Sequence, residues 1–159
     1  MTTTELMRNL KDYLTQVVAD YETRQKEGHI PIVVYEGFPP IRTSAEEKAS
    51  FIYCLVLSWE DTAQVTMSKA NVEIGFSIYD EDPQDGWRSL FNIMEHVRQA
   101  LLKRHIVAQR NMLVMPIKGE LIDTQPYPQW QGKITTAYTI GQPAEEGIEF
   151  DGYQETKVY

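Results

Sequence analysis

Apolar residues at Leu6, Leu10, Tyr13, Leu14, Val17, Val18 and Tyr21 recur at spacings of three and four, which places them on one stripe of a helix. The spacing predicts a helix over residues 3–27. Thr2 and Glu5 form a capping-box pair at its start, and Gly28 stands where a left-handed stop is useful. Residues 30–35 are a short β-branched run, and Gly37, Pro39 and Pro40 turn that strand into a loop lasting to about residue 49. Over residues 51–59, alternation puts Phe51, Tyr53, Leu55, Leu57 and Trp59 on one face and Ile52, Cys54, Val56 and Ser58 on the other. With both faces apolar, this is expected to be a central strand covered by helices on at least one side. Residues 65–79 form the next strand, with Ala70, Val72, Ile74, Phe76 and Ile78 inward and Glu73, Ser77 and Tyr79 outward. Val65 and Met67 have the opposite parity, which asks for a bulge near Ser68 and Lys69.

Asp82, Pro83 and Asp85 read as a helix start: a side-chain acceptor, a proline at the first helical position and a carboxylate at the positive end. That helix is expected to run to about His105. Its inward stripe is Trp87, Leu90, Phe91, Met94, Val97, Leu101 and Leu102, and basic Lys103, Arg104 and His105 complement its negative end. Residues 112–122 and 133–140 complete the sheet, the last strand alternating Ile134, Thr136, Tyr138 and Ile140 against Thr135, Ala137 and Thr139. Between them, residues 123–132 form a stiff loop displaying Tyr127 and Trp130 among prolines. The expected fold is α+β: a mixed, mostly antiparallel sheet of about four to five strands, packed by an N-terminal helix and a long central helix.

At 159 residues, one domain is the default, and it occupies residues 1–141. Apolar residues at 42% and charged residues at 24% fit an ordinary globular chain. Residues 142–159 lose all periodicity and carry Glu145, Glu146, Glu149, Asp151 and Glu155 against Lys157 alone, half of the net charge of −8. They read as an acidic C-terminal extension. Such a balance repels a phosphate backbone, so tight nucleic-acid binding is not expected. A lone cysteine, a polar N-terminus and the lack of any long apolar run give no expectation of secretion or of membrane insertion.

Catalytic chemistry finds little footing. Cys54 sits between Tyr53 and Leu55 in an apolar strand, the setting of an inert buried thiol. His29, His96 and His105 lack metal-ligand spacing and read as solvated. Asp80, Glu81, Asp82 and Asp85 offer oxygen ligands, but without the glycine and distal glutamate of a calcium loop they read as a helix-capping, solvated turn. No glycine-rich phosphate loop occurs. The expectation is therefore a non-enzyme without metal or cofactor, whose contact residues are Asp80, Glu81, Asp82, Tyr127 and Trp130.

Two segments carry a resemblance: residues 76–102, FSIYDEDPQDGWRSLFNIMEHVRQALL, and residues 126–140, PYPQWQGKITTAYTI. A strand, an acidic turn and a long helix, then a proline and aromatic loop leading into a threonine-rich strand, resemble the tail-terminator, or tail-completion, proteins of long-tailed bacteriophages and prophages. The resemblance spans residues 3–140. It implies a structural subunit, without enzymatic activity, that assembles into a ring, often hexameric, in the virion tail. Such a ring ends the tail tube, joins it to the head–tail connector and is assembled in the bacterial host cytoplasm. The partners it implies are further copies of the chain, the tail-tube protein and the connector protein. A second expectation, from the residues alone, is a small cytosolic binding or inhibitor module that captures a protein through the aromatic loop and the acidic extension.

Overall fold

The computed structural model describes residues 2–23, 25, 29–41, 47–62 and 67–143. Its elements in chain order are α1 (Thr3–Glu22), β1 (Ile32–Glu36), β2 (Ser50–Glu60), β3 (Met67–Tyr79), α2 (Trp87–Lys103), β4 (Ile106–Val107), β5 (Asn111–Leu121) and β6 (Gln129–Gly141). The strands form a six-stranded sheet in the order β1-β2-β3-β6-β5-β4. Only β1 and β2 are parallel; every other neighbouring pair is antiparallel. The fold is α+β, with one or two more strands than the pattern predicts.

The core lies between one face of the sheet and the two helices. Helix α1 contributes Leu6, Leu10, Leu14 and Val18, and α2 contributes Leu90, Ile93, Val97 and Leu101. They meet Ile52, Cys54, Val72, Ile74, Phe76, Ile134, Tyr138 and Ile140 from the inward-facing strand positions. Each large side chain buried there contributes about 1.5–3 kcal/mol before entropy is counted. The capping box at Thr2 forms as predicted, with Glu5 N donating to Thr2 Oγ1 at 3.1 Å and Thr2 N to Glu5 Oε1 at 3.2 Å. Helix α1 is shorter than its predicted span to residue 27, because Tyr21 is the last residue of the apolar stripe and the Thr23 hydroxyl turns back to the Asp20 carbonyl at 2.8 Å. Gly28, its predicted stop, lies outside the described residues.

Four further expectations are corrected. The bulge is not at Ser68 and Lys69: β3 pairs β6 without a step from Met67 to Tyr79, and the register shift falls on the partner strand, at Leu57 between Val56 and Ser58. Trp59 consequently changes face; it pairs with Ala70 instead of following Phe51 and Tyr53, and it stays exposed. In α2, the stripe through Leu90, Ile93, Val97 and Leu101 sits deepest, so Trp87 and Phe91 fall on its shoulder at 37% and 46% exposure. Strand β6 begins at Gln129, since Gln129 and Trp130 pair with Tyr79 and Ile78; Trp130 therefore belongs to a strand and not to the loop.

Strand β4 has no counterpart in the predicted elements. It is two residues long and joins β5 through Ala108 and Gln109, both left-handed at φ 54° and 58°. Such a turn normally advertises itself with Asn-Gly, which is absent here. At the far end of the chain, Gln142 is still tied to the sheet, its Oε1 accepting from Ser68 Oγ at 3.0 Å and its Nε2 donating to Thr62 O at 2.7 Å. Residues 144–159, most of the predicted acidic extension, lie outside the described residues.

Candidate functional site

The five predicted contact residues come together at one end of the sheet. Antiparallel pairing of β3 with β6 sets Tyr79 opposite Gln129, so the turn that leaves β3 (residues 80–86) lies beside the loop that enters β6 (residues 122–128). Backbone bonds join them: Asp80 N donates to Pro128 O at 3.0 Å. The Trp130 indole Nε1 donates to Asp80 O at 2.9 Å, and the Tyr127 hydroxyl donates to Glu81 O at 2.6 Å. The two rings meet edge to face, 6.1 Å between centroids.

Within the turn, Asp80 Oδ1 accepts from Asp82 N at 2.9 Å and its Oδ2 from the Ser89 hydroxyl at 2.5 Å. Asp82 Oδ1 accepts from the N–H groups of Gln84 and Asp85, both at 3.0 Å. Asp82 thus does cap, but it caps a single turn ahead of the helix; α2 proper starts at Trp87 with Gly86 as an N-cap that offers no side chain. Glycine is required there by close approach, since an added Cβ would stand 2.5 Å from Asp82 O and 2.6 Å from the Trp130 Nε1.

Charge on this turn is fixed by the same contacts. Backbone N–H groups of Asp85 and Gln84 hold the Asp82 carboxyl below its usual range. The Tyr79 hydroxyl, followed by Lys48 at 3.3 Å, does the same for Glu81, and the reciprocal bond pushes Tyr79 up to about 12. These are acceptors kept ionised, the opposite of a carboxylic acid poised to donate a proton. Residues 81–85 are all exposed, so the arrangement is a braced, convex, acidic knob. Lys48, Ser89 and Gln125 complete its bracing and were not foreseen. Gln125 accepts from Gln131 N at 2.5 Å and returns a bond to Gln131 O at 2.9 Å. No sequence spacing marks Lys48, because the register that carries it there is set by β1, β2 and β3 together.

The other chemistry-bearing residues stand apart. Cys54 is fully buried, and burial, then Glu36, pushes its thiol up to about 12. The histidines correct the expectation of solvation in two of three cases. His29 and His96 are mostly buried, flanking the Tyr21 ring at 6.5 and 5.3 Å. His29 Nε2 lies 2.8 Å from Glu22 Oε2, close enough for an ion pair when protonated but not aligned as a hydrogen bond, and His96 Nε2 faces Val17 O at 3.1 Å. His105 is exposed. Among the described residues no group of three or more His, Cys, Asp or Glu side chains could hold a metal ion, and no helix is long and apolar enough to cross a membrane.

Among the described residues no helix lies over the second face of the sheet. Val33, Tyr35, Phe51, Tyr53 and Leu55 lie there side by side on β1 and β2, with Leu57 beyond them, while Glu73, Lys133 and Thr135 make the neighbouring strands polar. Tyr53 donates to Glu73 Oε2 at 2.5 Å, across the bare backbone of Gly75. On the helix side, Phe91, Met94, Leu121 and Ile134 line an open groove of about 420 Å³ between α2 and β5.

No protein-family model matches this sequence, and no curated protein matches it. Solved structures do match, one of them a chain carrying no functional description. That chain is similar with a TM-score of 0.53 and 9% identity, over 91% of this chain and 100% of its own. A likeness at that identity extends to the fold alone.

Proposed function

We propose that this chain is a structural subunit that joins copies of itself into a ring ending a phage tail tube, as the resemblance to tail-terminator proteins implies. The observation that carries the reading is the amount of apolar side chain left in water by a one-sided sheet. Val33 and Leu57 are about half exposed on the uncovered face, and Phe38 and Ile41, in the proline-stiffened loop after β1, are 81% and 91% exposed. On that face Val33 adjoins Phe51 and Tyr35 adjoins Tyr53, and adjoining apolar surface of this kind on a folded chain marks a contact site. It occurs on more than one side of the molecule, since Ile106, Met112 and Met115 are exposed near β4 and β5. Different surfaces on different sides suit a heterologous interface, which closes into a ring when the rotation between neighbours allows.

In this reading the chain performs no reaction, and its acidity keeps the ring from gripping the DNA that passes through. The binding-module reading gains less support. The polar atoms of Tyr127 and Trp130 are spent on bonds within the molecule, which leaves them little to offer a partner. Purified chain mixed with tail-tube protein and imaged by negative stain is expected to give annular particles seated on tube ends. Tubes that stay bare at high chain concentration would contradict the reading.

A further inference from the structure

The two ends of α2 carry opposite charge. At its C-terminal end, Lys103 and Arg104, with exposed His105, lead into β4, and Arg110 follows across the β4–β5 turn. Among the described residues none of Lys103, Arg104 and Arg110 has a carboxylate within ion-pair distance; Arg104 instead lies over the Tyr13 ring at 5.7 Å. Leu102, Lys103, Arg104, His105, Ile106 and Gln109 line a shallow concavity of about 610 Å³. Its floor offers apolar anchorage, since Ile106 is half exposed. Seventeen residues away along α2, a distance of about 25 Å, stands the acidic knob.

We infer that the basic concavity at the C-terminal end of α2 receives the acidic knob, residues 80–85, of a second copy of this chain. Charge complementarity selects this occupant. Among the described residues the concavity presents unpaired cations, while the knob presents four carboxylates of which Glu81 and Asp85 alone have a cation nearby, Lys48 and Arg88, each at 3.3 Å. Accessibility agrees, residues 81–85 all being exposed and the receiving surface a shallow, open concavity. The knob is also rigid, held by Trp130, Tyr127, Ser89 and its own Asp82 cap, so little conformational freedom is lost when it docks. The contact is head-to-tail, each copy giving its knob and receiving another, as a ring requires. It deepens the ring reading and rests on it.

Two charge reversals test the contact. Lys103→Glu with Arg104→Glu reverses the concavity, and Glu81→Lys with Gln84→Lys and Asp85→Lys reverses the knob, leaving only Asp80 and Asp82 as carboxylates against the new lysines, with the Asp82 cap in place. Each variant alone is expected to need at least about tenfold more protein for half-assembly, by light scattering. An equimolar mixture restores assembly, because each variant's altered surface fits the other's. Raising the salt of the native protein weakens assembly in the same direction. Thermal melts check folding, and Lys103→Gln with Arg104→Gln supplies a milder variant expected to fall between native and reversed. Native chain that assembles while the reversals change nothing, or a mixture that fails to recover, overturns this contact and leaves the ring standing. A native chain that stays monomeric overturns the ring and the contact with it.

Discussion

At position 87 a tryptophan occupies what its spacing marks as a core site, yet its ring sits on the shoulder of the buried stripe, 37% exposed. Arg88 stacks over it at 4.5 Å and Phe91 meets it edge to face at 5.3 Å. Trp87→Ala is therefore expected to cost no more than about 1 kcal/mol in denaturant unfolding, whereas Ile93→Ala, fully buried, should cost about 2–5 kcal/mol. Equal losses would return Trp87 to the core. Tyr138 gives a prediction of the other sign: it is fully buried, and among the described residues its hydroxyl has no hydrogen-bond partner. Tyr138→Phe removes an unsatisfied polar atom without changing the packing, so stability should hold or rise by up to about 1 kcal/mol. A clear drop would mean that the hydroxyl has a partner after all. Asp82 makes a statement about pH. Its folded value lies below the unfolded one of about 3.9, so its stabilisation is complete above that pH and fades as pH falls through the folded value. Acid unfolding curves should show the native chain losing stability below about pH 4 more steeply than Asp82→Ala; parallel curves would contradict the capping role.

Among the elements, Gly86 sets two physical effects against each other. Its φ of −60° and ψ of −27° are helical, so alanine should favour the helix by about 1 kcal/mol. The added Cβ, however, would press on Asp82 O and the Trp130 ring. The contact is with backbone and a wedged indole, neither able to move away cheaply, so Gly86→Ala is expected to lower stability by about 1–3 kcal/mol in thermal or denaturant melts, and a gain would contradict the tight approach. How far the elements could be read in advance follows the same division between local and non-local physics. The capping box at Thr2, the stripe of α1, the inward parity of β3 and the alternation of β6 depend on spacing alone, and they appear as expected. The bulge depends on which of two paired strands yields. Parity within β3 demanded one at Ser68, and the sheet placed it at Leu57 in β2, a choice invisible along either strand. Likewise the shoulder position of Trp87 is decided by which stripe of α2, the one through Leu90, Ile93, Val97 and Leu101, turns to the sheet. Of the candidate site, the chemistry of the acidic turn was legible, since Asp-Pro-x-Asp is local. That Tyr127 and Trp130 brace it, and that Lys48 pairs Glu81, required the β3–β6 register and the long return from β1.

For the whole molecule, three features have one source in the arrangement of layers. Both helices lie on one face of the sheet, so the other face and the sheet edges carry apolar side chains into water. Helix α2 separates the acidic turn that starts it from the basic turn that ends it by about 25 Å. In the proposed ring, copies placed head to tail cover the first and pair the second. Self-association is the central claim, and the mass of the purified chain in solution measures it most directly. Multi-angle light scattering over a wide concentration range is expected to give a single closed multiple of 18.4 kDa that falls apart as salt is raised. A mass that stays at one chain up to high concentration and low salt would contradict it.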